Sequence, residues 1–334
     1  STAGGTAGGD GNSSTAGGTS GGATAGTTAG TSAGATAGSS SGGTPPGGTP
    51  DAGAGPTRFI AIGDTGKGND GQRSVAAAMA ETCRRRGCDF VVLLGDNLYP
   101  SGASSPTDRI FAEKFEDIYA PLDLPFWAVL GNHDYGANGA GTDFGRAAHE
   151  VAYTQRSKKW RMPAPYYRFT EGPVDFFALD TNAQMFRRDG DQKRDVSEWI
   201  TASKAPWKIA LGHHPYLSNG THGNAGNYEQ QSWIPVYSGG GVKDFAEEVY
   251  CGRVDLYFSG HDHSQQWLSD TCRGTVLVVS GAGAEATAIV VDRNAYRYQT
   301  SDLGFLYVEV EPGRLSAEFI DKNVNTQFTH VLTK

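Results

Sequence analysis

Residues 58–64, RFIAIGD, and residues 89–96, DFVVLLGD, decide how this chain is read. Each is a short, unbroken apolar run that ends in Gly-Asp. A run of that length, apolar at every position, reads as a strand covered on both faces. Between them, Asn69 or Asp70 can cap a helix over about 72–86, with Val75, Met79 and Thr82 or Cys83 at helical spacing and Gly87 as the stop. Ser105 with Pro106 opens a second expected helix, whose apolar face carries Ile110, Phe111, Phe115, Ile118 and Tyr119. A third run, PFWAVLGN at 125–132, ends in Gly-Asn.

The second half reads as further strands at about 166–170, 174–181, 207–213, 254–261, 265–268 and 275–280, then a hairpin over 305–320 turning at Pro312-Gly313. Helical stretches are expected near 196–202 and 242–250, and the charged segment 185–194 (MFRRDGDQKR) reads as a surface turn. Early strands apolar on both faces and alternating strands later predict two packed sheets with helices outside them. Five strands end in Gly followed by a residue able to bind a metal: Asp64, Asp96, Asn132, His213 and His261. In open sheets the loops beyond the carboxyl ends build the site, so these five ends should converge.

One Gly-Asp after a strand is usually a turn, and one histidine at a strand end is usually just hydrogen-bonded. Gly131-Asn132-His133-Asp134 and Gly260-His261-Asp262-His263 are sharper, because amide, imidazole and carboxylate in sequence are poor material for a core. Five such endings in order have no common structural explanation. Carboxylates, a neutral amide oxygen and imidazoles suit a pair of first-row transition metals, and a bridging carboxylate can hold two ions at the spacing that phosphoryl transfer requires. The nucleophile would be a hydroxide between the ions, since metal charge lowers the pKa of water. His133 and His222 are then free to donate protons to the leaving alkoxide and to hold phosphate oxygens.

The order and spelling of these clusters resemble the metallophosphoesterase superfamily, and in detail the small purple (tartrate-resistant) acid phosphatases. The resemblance runs from about Phe59 to Phe328 and includes KFEDIYAP, PAPYYRF and SGAG. It implies a four-layer α-β-β-α sandwich of two mixed sheets flanked by helices. Two departures from the wider superfamily point to this branch: Gly66 stands where most members carry a histidine ligand, and Tyr99 follows Asp96 by three residues. Position by position, the resemblance implies a ferric ion on Asp64, Asp96, Tyr99 and His263. A divalent ion (Fe, Zn or Mn) would take Asp96, Asn132, His213 and His261, with Asp96 bridging. His133 and His222 match the family's two catalytic histidines. Asp134 would orient His133 or a loop backbone, and His214, where the family often has Tyr, stays outside the expected site. The segment between Asp180 and His213 is too short for the long inhibitory loop of mammalian relatives, so proteolytic activation is not expected.

Residues 1–56 consist almost wholly of Gly, Ala, Ser, Thr and Pro and hold 19 of the 47 glycines. With no aromatic residue, Leu, Ile or Val, they cannot bury enough surface to offset ordering, so a flexible tether is expected ahead of a catalytic domain at 57–334. The chain begins with Ser and reads as a processed product. Its tether resembles the spacer behind a bacterial lipoprotein's acylated cysteine, an anchor that would lie upstream. A net charge of −8 argues against nucleic acid, and no apolar run is long enough to span a membrane. Four cysteines, most simply paired Cys83–Cys88 and Cys251–Cys272, fit a secreted or surface-held protein. The expected activity is an acid phosphatase acting on small phosphate monoesters or phosphoproteins, as a monomer. A phosphodiesterase of the same superfamily is the nearest alternative, disfavoured by Gly66 and Tyr99. The other alternative, a surface-binding protein that has lost catalysis, sits poorly with a full set of ligands.

Overall fold

The computed structural model describes residues 55–188, 190–230, 236–290 and 293–334; most of the expected tether lies outside them. In chain order the elements are β1 (Thr57–Ile62), α1 (Asp70–Arg86), β2 (Phe90–Leu94), β3 (Phe126–Val129), α2 (Ala147–Tyr153), β4 (Trp160–Arg161), β5 (Tyr167–Glu171) and β6 (Val174–Ala178). There follow α3 (Thr181–Met185), α4 (Gln192–Ala202), β7 (Trp207–Leu211), α5 (Gly240–Val249), β8 (Leu256–Ser259), β9 (Gln265–Cys272) and β10 (Thr275–Ser280). The last strands are β11 (Tyr296–Thr300), β12 (Gly304–Glu311), β13 (Arg314–Asp321) and β14 (Thr326–Thr333).

Two mixed sheets result, ordered β14-β13-β12-β1-β2-β3-β4 and β11-β9-β10-β8-β7-β6-β5. β1, β2 and β3 run parallel, and β1 pairs antiparallel with β12 on its other side. The continuous apolar runs are explained by this packing: all five residues of β2 are buried, because one face meets helices and the other meets the second sheet. The sheets touch through aromatic rings, Phe59 edge-on to Phe176 at 5.3 Å and Phe90 to Phe169 at 6.2 Å. α1 packs on the outside of the first sheet through Val75, Ala78 and Met79. α4 and α5 cover the second through Val196, Ile200, Phe245 and Val249. The expected four layers, helix, sheet, sheet, helix, are therefore present.

Local signals account for α1. Asn69 Oδ1 accepts the Gln72 N–H at 2.9 Å, and Gly87 closes the far end at φ +83°, its N–H on the Cys83 carbonyl. Both expected disulfides are formed, Cys83–Cys88 and Cys251–Cys272. Two expectations need correction. The helix expected from Ser105 begins later, at Ile110, and is wound as a wide π-helix over Ala112–Glu116, with Phe111, Phe115, Ile118 and Tyr119 buried as its apolar face requires. The Asp108 carboxylate accepts the Ser104 and Ile110 N–H groups at 2.8 and 3.0 Å, a local alternative that competes with helix. Nor is 185–194 only a surface turn: α4 begins at Gln192, whose buried amide accepts the Asp180 N–H at 2.9 Å, while Met185 and Phe186 line a cavity.

Candidate metal centre

The carboxyl ends of β1, β2 and β3 in one sheet and of β7 and β8 in the other meet at one place. Glycine precedes each metal-competent residue because the strand ends approach too closely for a side chain. A Cβ on Gly131 would stand 2.2 Å from Asp96 Oδ1, and one on Gly95, at φ +86°, would stand 2.6 Å from His213 Nδ1. The next residue must then turn sharply, and Asp64, Asp96 and His261 have φ of +58°, +52° and +68°. That left-handed conformation is costly for residues with a Cβ and persists where surrounding structure enforces it.

The seven expected ligands meet around two atoms, the Tyr99 hydroxyl and His213 Nε2, and Asp64 and Asp96 both lie within metal-ligand reach of His213. The Tyr99 hydroxyl lies 3.2 Å from Asp64 Oδ1 and 3.1 Å from His263 Nε2. His213 Nε2 lies 2.9 Å from Asn132 Oδ1, 3.1 Å from His261 Nδ1 and 3.4 Å from Asp96 Oδ1. Each donor atom is aimed by a bond on its other side. Asn132 Nδ2 donates to the Gly139 carbonyl at 2.8 Å, which turns Oδ1 inward. His213 Nδ1–H donates to the Leu94 carbonyl at 2.9 Å, which leaves Nε2 for the site. Asp64 Oδ2 accepts the His261 N–H at 2.8 Å and so ties the two sheets' loops together.

These residues fit a metal. Ligand atoms bound to one ion at ~2.1 Å lie ~3.0–3.4 Å apart, the spacing seen here. The electrostatics also call for positive charge. Burial lowers the His213 pKa, but the Asp96 carboxylate outweighs it and pushes the imidazole up to about 9. Burial raises Asp96, yet the His213 and His133 rings facing it hold its carboxyl well below the usual range. Burial first, then Asp96 and Asp64, drives the Tyr99 phenol far above its ordinary value. A phenolate at this position needs a strong cation beside it.

His133 and His222 flank the groups. The His133 N–H donates to Asp96 Oδ1 at 2.9 Å, its Nδ1 to the Pro100 carbonyl at 2.7 Å, and its ring lies 4.2 Å from that of Tyr99. His222 stacks on His261 at 4.0 Å. A cavity of about 290 Å³ opens beside Asn132, His261 and His222, walled by Met185, Phe186, Tyr228 and Tyr237.

Three further residues shape the site, and only Glu229 among them carries no sequence signal. His214 lies with its ring 4.6 Å from His261 and in a buried trio with His213 and His261. Its tautomer is the reverse of His213's. Thr181 Oγ1 accepts both the His213 and His214 N–H groups, at 3.2 and 3.1 Å, so its own proton goes to His214 Nδ1 at 2.9 Å. That leaves the ring's proton on Nε2 and makes His214 a donor rather than a ligand. Asp134, expected to orient His133 or a loop, accepts the N–H groups of Asn97, Leu98 and Gly131 at 2.9, 3.1 and 2.8 Å. It thus clamps the loop after β2 to the loop after β3, with the buried Glu150 and Asn97 behind it. Glu229, paired with His222 Nδ1, comes from a loop whose spacing announces nothing.

Residues 57–265 match the family described as calcineurin-like phosphoesterase. The chain is 29% identical over 311 residues to tartrate-resistant acid phosphatase type 5 of Sus scrofa, covering 81% of this chain and 85% of that protein. It is 31% identical over 249 residues to purple acid phosphatase 17 of Arabidopsis thaliana, covering 70% of each. Among solved structures, GAP50, the anchor in the inner membrane complex of Plasmodium, superposes with a TM-score of 0.63 at 22% identity, over 84% of this chain and 89% of that one. A dimetal phosphatase from Danio rerio gives 0.53 at 13%, over 84% and 99%. Those two likenesses establish the shared fold.

Proposed function

This chain belongs to the calcineurin-like phosphoesterase family and, within it, to the purple acid phosphatases, and we propose that it hydrolyses phosphate monoesters at two metal ions that share Asp96. Asp64, Asp96, Tyr99 and His263 would hold a ferric ion; Asp96, Asn132, His213 and His261 would hold a divalent Fe, Zn or Mn. The observation that carries this reading is the convergence of the donors around the Tyr99 hydroxyl and around His213 Nε2, with Asp64 and Asp96 both within metal-ligand reach of His213. Bound there, the ions supply charge against the phosphate and make water nucleophilic near neutral pH.

The protein's own groups do the rest. His133, held by Pro100 and Asp96, and His222, at the cavity wall, are placed to bind phosphate oxygens and to protonate the leaving oxygen. His214 offers a neutral Nε2–H beside them. The apolar walls from Met185, Phe186 and Tyr237 suit the organic part of a small monoester or a phosphorylated side chain. Both disulfides are formed, and no helix among the described residues is long and apolar enough to cross a membrane. This is consistent with a protein outside the cytoplasm, and we propose that the catalytic domain at 57–334 is a secreted or surface-held monomer on the tether of residues 1–56.

The test is metal analysis and a visible spectrum of native and Tyr99→Phe protein, with turnover of an aryl monoester and a diester compared. The expected result is iron plus a second metal, a purple to pink native protein whose visible band is lost on substitution, and faster turnover of the monoester. A colourless, iron-free protein fully active with zinc or manganese alone would overturn the ferric–phenolate part. Faster diester turnover would overturn the substrate class.

A further inference from the structure

His222 is fixed by two contacts from one distant loop and a third from its own. Asp262 Oδ1 accepts its backbone N–H at 2.8 Å, and its ring stacks on His261 with planes 25° apart. The third contact is local: Glu229 Oε1 meets His222 Nδ1, and the Glu229 N–H returns to the His222 carbonyl at 2.9 Å. An ionised carboxylate only accepts, so Nδ1 must carry a proton. Nε2, on the far side of the ring from Glu229, is then left to the cavity that both residues line. Glu229 reaches this position from a backbone at φ +54°, followed by Gln230 at +57°. A left-handed pair without glycine is an unfavourable way to pass through a loop whose only task is connection.

We infer that Glu229 is a positioning residue for phosphomonoester hydrolysis, holding the His222 imidazole by Nδ1–H so that Nε2 faces the leaving oxygen. The inference rests on the reading of His222 as proton donor. With both ring nitrogens protonated at the start, a water oxygen bonds to phosphorus as the bond from phosphorus to the ester oxygen breaks. The ester oxygen takes the proton from His222 Nε2 and leaves as an alcohol, and the ring is left neutral with its proton on Nδ1. Glu229 keeps its charge and its bond to Nδ1–H throughout, and solvent returns a proton to Nε2. Asp262 fixes where the ring is attached, and Glu229 fixes which way it faces.

The test uses the metal-loaded full chain and two monoesters that differ in how much the departing oxygen needs a proton: 4-nitrophenyl phosphate and glycerol 2-phosphate. Glu229→Ala should lower kcat on glycerol 2-phosphate by ~10–100-fold and on 4-nitrophenyl phosphate by no more than ~3-fold, because a good leaving group departs without a proton. Glu229→Gln, which keeps an accepting oxygen, should recover part of the loss. In a His222→Ala background, Glu229→Ala should add less than ~2-fold, since residues that act as one unit are not additive. Metal content should equal that of the native protein in every variant. Equal losses on both substrates, a full additive loss in the double variant, or loss of metal would overturn the inference. His222→Ala separates the two claims. If it discriminates between the substrates and Glu229→Ala does not, only the role of Glu229 falls. If neither discriminates, the reading of His222 as proton donor falls, and this inference with it.

Discussion

The loops that follow β1, β2 and β3 and the loop that runs from His214 to Gln230 border the same cluster of donor atoms, yet they are held in different ways. The first set is tied by backbone. Asp64 N–H reaches the Gly95 carbonyl at 3.0 Å, Gly66 N–H that of Asp96 at 3.2 Å, and Tyr99 N–H that of Gly66 at 3.0 Å. Asp134 gathers three more N–H groups beneath them. The second set hangs largely on individual side chains. Asn219 N–H goes to Gln266 Oε1 at 2.7 Å and Asn219 Nδ2 to Gln299 Oε1 at 2.8 Å. Arg293 Nη1 donates to the Gly220 carbonyl at 2.6 Å, and Asp262 takes the His222 N–H. Bonds between main chains survive most side-chain changes, whereas a loop held by named side chains can be altered by one substitution. Asp64, Asp96, Tyr99 and Asn132 therefore stand on the part tied by main chain, and His222 on the part that sequence drift can reshape.

The largest expected effect tests the rigid half. Asp96→Asn removes the charge that the two proposed metals share, and should lose at least one metal per chain and ~10³-fold or more in kcat. Full metal content in that variant would remove Asp96 from its shared position. His133 comes next: it belongs to the rigid half but donates no ligand atom, so His133→Ala should cost ~10²-fold in kcat with both metals retained. Metal loss there would show that the two roles are not separable on that side.

Asn219→Ala sharpens the comparison from the loop side. It removes the partners of Gln299 and of the Asn294 main chain without touching a donor atom. An effect of ~10-fold in kcat/KM is expected, with metal content unchanged, from a misplaced His222. An equal fall in metal content would mean that the loop and the strand ends are one unit.

The smallest effect concerns the clamp beneath the rigid half. Burial first, then the Asp134 carboxylate, drives the Glu150 carboxyl well above its ordinary value, and burial pushes Asp134 up to about 7. A carboxyl whose pKa is raised on folding favours the fold at acidic pH and loses that contribution as pH rises through the folded-state value. The native protein should thus weaken from acidic toward alkaline pH. Glu150→Gln, always neutral, should flatten that slope and raise Tm by ~2–4 °C at alkaline pH, the response to about 1 kcal/mol. A thermal melt series across pH checks this, and a variant less stable at alkaline pH would show that the carboxylate is held ionised.

Much of this was legible in the residues themselves. A strand buried on both faces must be apolar throughout, and a strand end pressed against another must carry glycine, so RFIAIGD, DFVVLLGD and PFWAVLGN announced both their burial and their meeting place. The pairing of Cys83 with Cys88 and of Cys251 with Cys272 was equally local in its logic. Where side chains compete with the backbone, the reading slipped: the Asp108 carboxylate takes the Ser104 and Ile110 N–H groups, and the helix expected from Ser105 starts only at Ile110. The segment at 185–194 looked like a charged surface turn because Met185 gains its burial from Val242 of α5 and from Ala225 and Tyr228, and Gln192 from the Asp180 main chain, all distant in sequence or set by the fold.

Sequence alone determined which residues could bind a metal and that they stood at strand ends, because those facts follow from residue type and from local periodicity. It could not determine what points each group. The opposite tautomers of His213 and His214 depend on Leu94 and Thr181, more than 30 residues away, and the orientation of His222 on Asp262 and Glu229. Hydrogen bonds between distant parts of the chain have no period and no fixed spacing. They exist only once the two sheets have packed, and so tertiary structure decided which nitrogen faces the site.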